Sequence, residues 1–337
     1  MRLCKFWLAG FLFLAPASLF GQEQAGAPAG SQEPTLPPLY VRPETRPEQP
    51  EGFAPGYGAV SGAGEQGISW NSGAITSDTM RVGPYGQPAW TTARPFATTR
   101  AYVLPAGEAD FEQWVRPTWP KEGDVEYRLL EEISLGLPGR FQLDLYERWN
   151  VEPDDNGHEE ANHEGVQIEL RWALADWGVI PLNPTLYAEW IERGGPQEKP
   201  NKYELKLLLS EEITCRLFWA TNFILEQEAE GEERETELAW SNALSTPLIE
   251  RKLLVGVESV LSRVTTRQTR DDPEISFLIG PSLHWIATNR IFVDVVGLFG
   301  TTSESPTSQM YVVAGYQFGT RAGPSGEISA PTSTRGR

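Results

Sequence analysis

The chain has 337 residues and a mass of 37.5 kDa, and 28 Lys and Arg against 46 Asp and Glu leave a formal charge of −18. A pI near 4.7 excludes the basic face that a phosphate backbone requires, so nucleic acid is not an expected partner. Two cysteines exclude a disulfide framework or a multi-thiolate metal site. A mean hydropathy of −0.36 without a long interior apolar run excludes a bundle of membrane helices.

The chain begins with Arg2 and Lys5, the apolar stretch Phe6 to Leu14, and Ala15-Pro16-Ala17. Charge, apolar run and small residues in that order are the pattern of a secretory signal peptide, taken here as residues 1–21. Cys4 leaves with it, so the exported chain keeps only Cys215 and forms no internal disulfide. From residue 22 to 95 Pro and Gly recur too often for a helix or a sheet ladder, and the apolar area is too small to offset ordering entropy. This stretch reads as a disordered periplasmic linker. Its second half carries Trp70, Tyr85 and Trp90, with Phe96 just beyond, and could dock on something, a plug inside a barrel being one option.

Residues 96–318 form the structured body. Here about twelve units repeat, each of roughly ten residues with apolar and polar side chains alternating, as on a strand with two unlike faces. Val166, Ile168, Leu170 and Trp172 take one face while Gln167, Glu169 and Arg171 take the other. The predicted strands are 108–118, 124–136, 140–152, 165–175, 185–193, 202–213, 216–228, 234–245, 251–263, 275–287, 290–301 and 308–318. They exceed the usual soluble strand of about five or six residues and suit a tilted bilayer crossing. Short links such as Leu137-Pro138-Gly139 and Thr288-Asn289 alternate with longer polar ones, including 153–164 and 264–274. Tight turns at one end and long loops at the other belong to outer-membrane barrels. Residues 319–337 read as a disordered tail.

One face carries charges that a sandwich core could not bury without a heavy desolvation cost. These inward candidates are Glu126, Arg128, Asp144, Arg148, Glu169, Arg171, Glu189, Glu204, Lys206, Glu237, Lys252, Glu258, His284 and Asp294. The apolar faces end in Trp114, Trp149, Trp172, Trp190, Trp240 and Trp285, which suit aromatic girdles, although Glu131 and Glu147 fall on the same faces. The expected fold is therefore all-β, a transmembrane antiparallel barrel of about twelve strands behind a disordered N-terminal segment.

The last strand, Val313-Ala314-Gly315-Tyr316-Gln317-Phe318, resembles the terminal strand of outer-membrane barrels, whose final aromatic is the signal to the barrel assembly machinery. Two further stretches, Leu104-Pro105-Ala106-Gly107 leading to Glu112 and Pro181-Leu182-Asn183-Pro184-Thr185-Leu186-Tyr187-Ala188-Glu189, resemble outer-membrane transporters grouped under the phenol-degradation meta-pathway name. That resemblance implies a pore or uptake role without catalytic residues. The expected barrel itself requires outer-membrane lipid and lipopolysaccharide as surroundings, in a two-membrane bacterium.

Two constellations invite chemistry. His158-Glu159-Glu160-Ala161-Asn162-His163-Glu164 spaces its histidines one residue too far for a helical metal pair and is read as a solvated loop. His284 with Ser282 and Asp294 could assemble a base, a nucleophile and an orienting carboxylate, yet no Gly-x-Ser-x-Gly elbow accompanies them, and lumen packing is the expected role. No cofactor, metal or enzymatic activity is expected. Acidic residues outnumber basic ones inside, so the expected function is passive, selective passage of a small solute through an acidic, cation-favouring lumen. The alternative is a non-conducting barrel that displays acidic external loops.

Overall fold

The computed structural model describes residues 78–153, 159–194 and 199–318. The expected signal peptide, linker residues 22–77, His158 and the tail 319–337 lie outside them. Two short strands come first, β1 (Arg81–Val82) and β2 (Gln87–Pro88), followed by a 3-10 turn at Ala89–Thr91. Then come β3 (Ala109–Trp119), β4 (Glu126–Leu137), β5 (Phe141–Pro153), β6 (Glu159–Ala173), β7 (Thr185–Arg193) and β8 (Lys202–Thr214). The series ends with β9 (Leu217–Glu228), β10 (Thr236–Ile249), β11 (Leu253–Thr265), β12 (Glu274–Ile286), β13 (Ile291–Gly300) and β14 (Ser308–Phe318). Strands β3 to β14 pair antiparallel in sequence order, and β14 pairs with β3, so twelve strands close into a barrel with no free edge.

Alternation decides which face is which. Along the row Ile133, Leu145 and Ile168 the outer side chains are 48%, 42% and 51% exposed, while the inward Glu132, Asp144 and Glu169 are fully buried. A water-soluble barrel has the opposite arrangement, and an apolar band of this extent needs an apolar solvent. Trp119 and Trp190 stand on the outer face toward one end, and Trp172 and Trp285 toward the other. Glu131 and Glu147 sit on the outer face as their parity requires, directly opposite one another. Trp114 is a correction: it faces inward and is buried, because the inward parity of β3 is set by Glu112, which pairs with Glu132.

At the end that holds Ala109 and Phe318, the connections 138–140, 215–216, 250–252 and 287–290 are tight. At the other end the links 120–125, 194–201, 229–235, 266–273 and 301–307 are longer. Residues 174–184 break the pattern as one longer connection at the tight end. Strand β6 also begins earlier than predicted, because Ala161 to His163 continue the ladder with β5. A bulge between Arg148 and Trp149 shifts the register there, opposite Gly165 at φ 141°.

If the exposed band meets lipid, Ile168→Arg lowers stability by about 2–4 kcal/mol. Reversible urea unfolding in lipid vesicles measures the loss, and an unchanged midpoint would put that face in water.

Candidate functional site

The inward faces form the site, and the chain itself occupies part of it. Residues 78–95, expected in the linker, and the stretch up to 107 run inside the barrel rather than outside it. Asp78 holds the first point: Arg251 N–H donates to its Oδ2 at 3.0 Å in the turn between β10 and β11. Burial raises the Asp78 carboxyl above its ordinary pKa, and the hydrogen bond and charge of Arg251 act against that rise. Strands β1 and β2 form a small hairpin, its corner turned by Gly83 and Gly86 at positive φ. Gln87 Nε2 then donates to Val103 O at 2.8 Å, which folds the segment on itself.

Trp90 anchors the hairpin. It stacks on Phe218 with ring centroids 5.0 Å apart and meets Trp177 and Phe96 edge-on. Trp177 belongs to the long connection 174–184, whose backbone also donates to Tyr85 O. Tyr102 donates to Ala175 O at 2.6 Å. That connection is long because it folds over the segment and covers its aromatic cluster.

Deeper in, charge replaces aromatic packing. Arg94 Nε donates to Glu112 at 2.6 Å and its Nη2 to Glu132 at 2.6 Å, with the Trp114 ring 4.3 Å from the guanidinium carbon. Arg100 reaches Tyr146 Oη at 2.6 Å and Glu132 at 3.2 Å. Tyr146 in turn donates to Glu169 at 2.5 Å, Glu169 pairs with Arg171, and Arg171 reaches Asp144 at 2.8 Å. The backbone between the two arginines has no ladder partner, so wall side chains satisfy it. Glu258 accepts from Ala97 N, Thr98 N and Thr98 Oγ1 at 3.2, 2.8 and 2.5 Å. Asn222 clamps Arg100 by accepting from its N–H and donating to its carbonyl, both at 2.8 Å. Ser241, Ser210, Gln142 and Gln317 bond to Thr99, Ala101, Leu104 and Thr92. The segment thus touches inward side chains of β3, β4, β5, β8, β9, β10, β11 and β14, crossing the lumen from wall to wall. It leaves beside Gly136, where an added Cβ would strike the Pro105 carbonyl.

The predicted inward residues divide accordingly. Asp144, Glu169, Arg171 and Glu258 bind the segment or its partners. Glu189 accepts from Tyr187 and Gln167, and Lys206 pairs with Glu204 at 2.6 Å over the Tyr187 ring. Arg128 and Arg148 lie nearer the long-loop end around Glu164, at 3.5 and 3.3 Å. Glu237 faces Glu226 across β9 and β10, half-buried. Glu126 is exposed at the rim. Lys252 is a correction: it shares the inward parity but lies beyond the end of β11, exposed in the turn. His284 Nδ1 and Asp294 Oδ1 are 2.6 Å apart and buried, with Phe292 against the imidazole. Among the described residues no hydrogen bond joins Ser282 to His284. His163 lies on β6 against the Trp149 ring, not in a loop.

Sequence reasoning missed Arg94 and Arg100, which have no periodic context, and Glu132, whose parity with Arg128 was available. The signal was there: between Arg81 and Arg116, residues 94 and 100 are the only cations, set among Thr and aromatic residues.

No known family profile matches the chain, and no curated protein matches it. Among solved structures, an outer-membrane channel from Pseudomonas putida superposes with a TM-score of 0.51 at 9% identity, covering 66% of this chain and 100% of that one. The NanC porin follows at 0.43 and 13% identity, covering 63% and 100%, and the KdgM porin at 0.40 and 12%, covering 63% and 99%. The first likeness establishes a shared fold: the chain has the barrel architecture of an outer-membrane channel.

Arg94→Ala would leave Glu112 and Glu132 buried with half their counter-charge gone, a change worth about 3–5 kcal/mol. Urea unfolding in detergent is expected to show that loss, with residues 78–107 becoming trypsin-sensitive. Glu132→Gln in the same background should restore part of the stability. An Arg94→Ala chain as stable and as protected as the parent would mean the ion pairs do not hold the segment.

Proposed function

We propose that this chain is an outer-membrane channel held closed by its own residues 78–107, which admits a small solute when that segment shifts. The observation that carries the reading is the Arg94 and Arg100 network on Glu112 and Glu132, buried ion pairs made between the segment and the barrel wall. A purely structural barrel gains more from an apolar filling, since replacing buried ion pairs by packed hydrophobic residues is often neutral or stabilising. Wall and segment also meet through apolar packing, at Trp90 on Phe218 and around Ala97, but the charged faces joined by these ion pairs each tolerate water when apart. This favours a separable closure.

Inward carboxylates outnumber inward cations, which supports the expected preference for cations. The apolar outer band and the fold support a place in the outer membrane of a two-membrane bacterium. There the acidic long loops meet lipopolysaccharide and the Phe318 strand addresses the assembly machinery. Residues 1–21 fit an export signal. The motif resemblance to meta-pathway transporters is in keeping with uptake, and the solute itself is a small molecule. The second reading, a non-conducting barrel that displays its loops, draws on the depth at which the segment is anchored.

Planar-bilayer recording of the full chain, beside a chain lacking residues 78–104, separates the two. The full chain should stay mostly silent, and the shortened one should open in discrete, cation-selective steps. Heat-modifiable gel mobility verifies that both have folded. A folded, shortened barrel that remains silent would favour the structural reading.

A further inference from the structure

Toward the long-loop mouth the lumen is not uniformly acidic. Arg116 on β3 stands directly opposite Arg128 on β4, a like-charge pair that two neighbouring strands ordinarily avoid. Arg148 on β5 and Arg193 at the end of β7 complete a group of four, and the charges of Arg116, Arg148 and Arg193 all bear on Arg128. Among the described residues one carboxylate answers them: Glu164 is 3.5 Å from Arg128, 3.3 Å from Arg148 and 3.2 Å from Arg193. Arg116 has no carboxylate at all among the described residues; its guanidinium lies over the Tyr311 ring, 5.9 Å from the centroid. Glu126, one inward position nearer the mouth, is exposed and forms no ion pair with the four among the described residues. The Nε atoms of all four arginines are shielded from solvent without a hydrogen-bond partner. Among the described residues, no hydrogen bond or ion pair joins residues 78–107 to these four arginines. On β9 and β10, six places round the ring from β3 and β4, the inward charges are Glu226, Glu228 and Glu237.

We infer that Arg116, Arg128, Arg148 and Arg193 form an anion-binding site on one wall of the outer vestibule, suited to a small polycarboxylate. Among the described residues, four cations against one carboxylate leave a local excess of positive charge. Guanidinium forks match carboxylate oxygens in pairs, and the partly exposed Arg116 guanidinium, without an ion pair among the described residues, is the fork left to offer. The acidic wall of β9 and β10 repels the same ligand and so holds it to the β3–β7 side. This inference stands apart from conduction, because a closed barrel would still bind at its mouth.

The test is calorimetric titration of citrate into the full chain in detergent at low ionic strength. Saturable binding is expected. Arg116→Ala should weaken it roughly ten-fold or more, the loss of one charge-assisted fork. Arg116 breaks no ion pair when removed, so this variant keeps its fold. Arg116→Lys, which keeps charge but not the fork, should fall between the two. Arg193→Ala should weaken binding in the same direction, and Glu237→Gln on the other wall should not weaken it. Absent citrate binding, binding of inorganic phosphate without citrate, or equal affinity in the parent and Arg116→Ala would each overturn the assignment.

Discussion

A carboxylate on the inner wall of a narrow barrel must find either water or a cation, because stripping it of both costs several kcal/mol. Glu112 and Glu132 lie opposite each other on β3 and β4, so neither can neutralise the other. Arg94 and Arg100 resolve this from a segment that belongs to no strand. The rest of the arrangement follows: Tyr146 joins the pair to Glu169, Arg171 carries the chain of charges on to Asp144, and Glu258 and Asn222 clamp the backbone between the two arginines.

The same requirement divides the lumen along its axis. In the half near the tight turns, the segment supplies counter-charges and the aromatic cluster of Trp90, Trp177, Tyr102 and Phe218 excludes solvent. In the half near the long loops, among the described residues, the segment makes no ion pair with the wall, and the wall charges sort themselves into a basic side and an acidic side. A solute entering from the long loops would meet the sorted charges first and the plug second. On the proposed function, selection and closure would therefore fall to different residues.

Much of the barrel was legible in the sequence because alternation is a local property. Val166 to Trp172 declares its two faces without reference to any partner, and β7 and β14 begin and end where the pattern does. Where local pattern and pairing part company, the reading failed. Ala161 to His163 look like an acidic loop, and only the bulge at Arg148 and Trp149 makes them strand. Lys252 has the right parity and the wrong position, since parity carries no information about where a strand ends. The linker was the larger gap. Residues 78–107 hold no periodicity, because their hydrogen bonds go to side chains of the wall rather than to a neighbouring strand. Pro- and Gly-rich composition looks the same whether a chain is solvated or threaded through a polar cavity.

The central claim is that residues 78–107 close a lumen that otherwise conducts. Thr99 Oγ1 lies 3.1 Å from Ser241 Oγ inside the barrel, and both atoms stand at the γ position that a cysteine sulfur takes, which places a reversible tether within reach. In a Cys215→Ser background, Thr99→Cys with Ser241→Cys would be recorded in a planar bilayer under oxidising and then reducing conditions. The account predicts a silent barrel when the bridge is formed and channel openings after reduction, repeatable through cycles. Openings of equal size and frequency in the bridged state would contradict it.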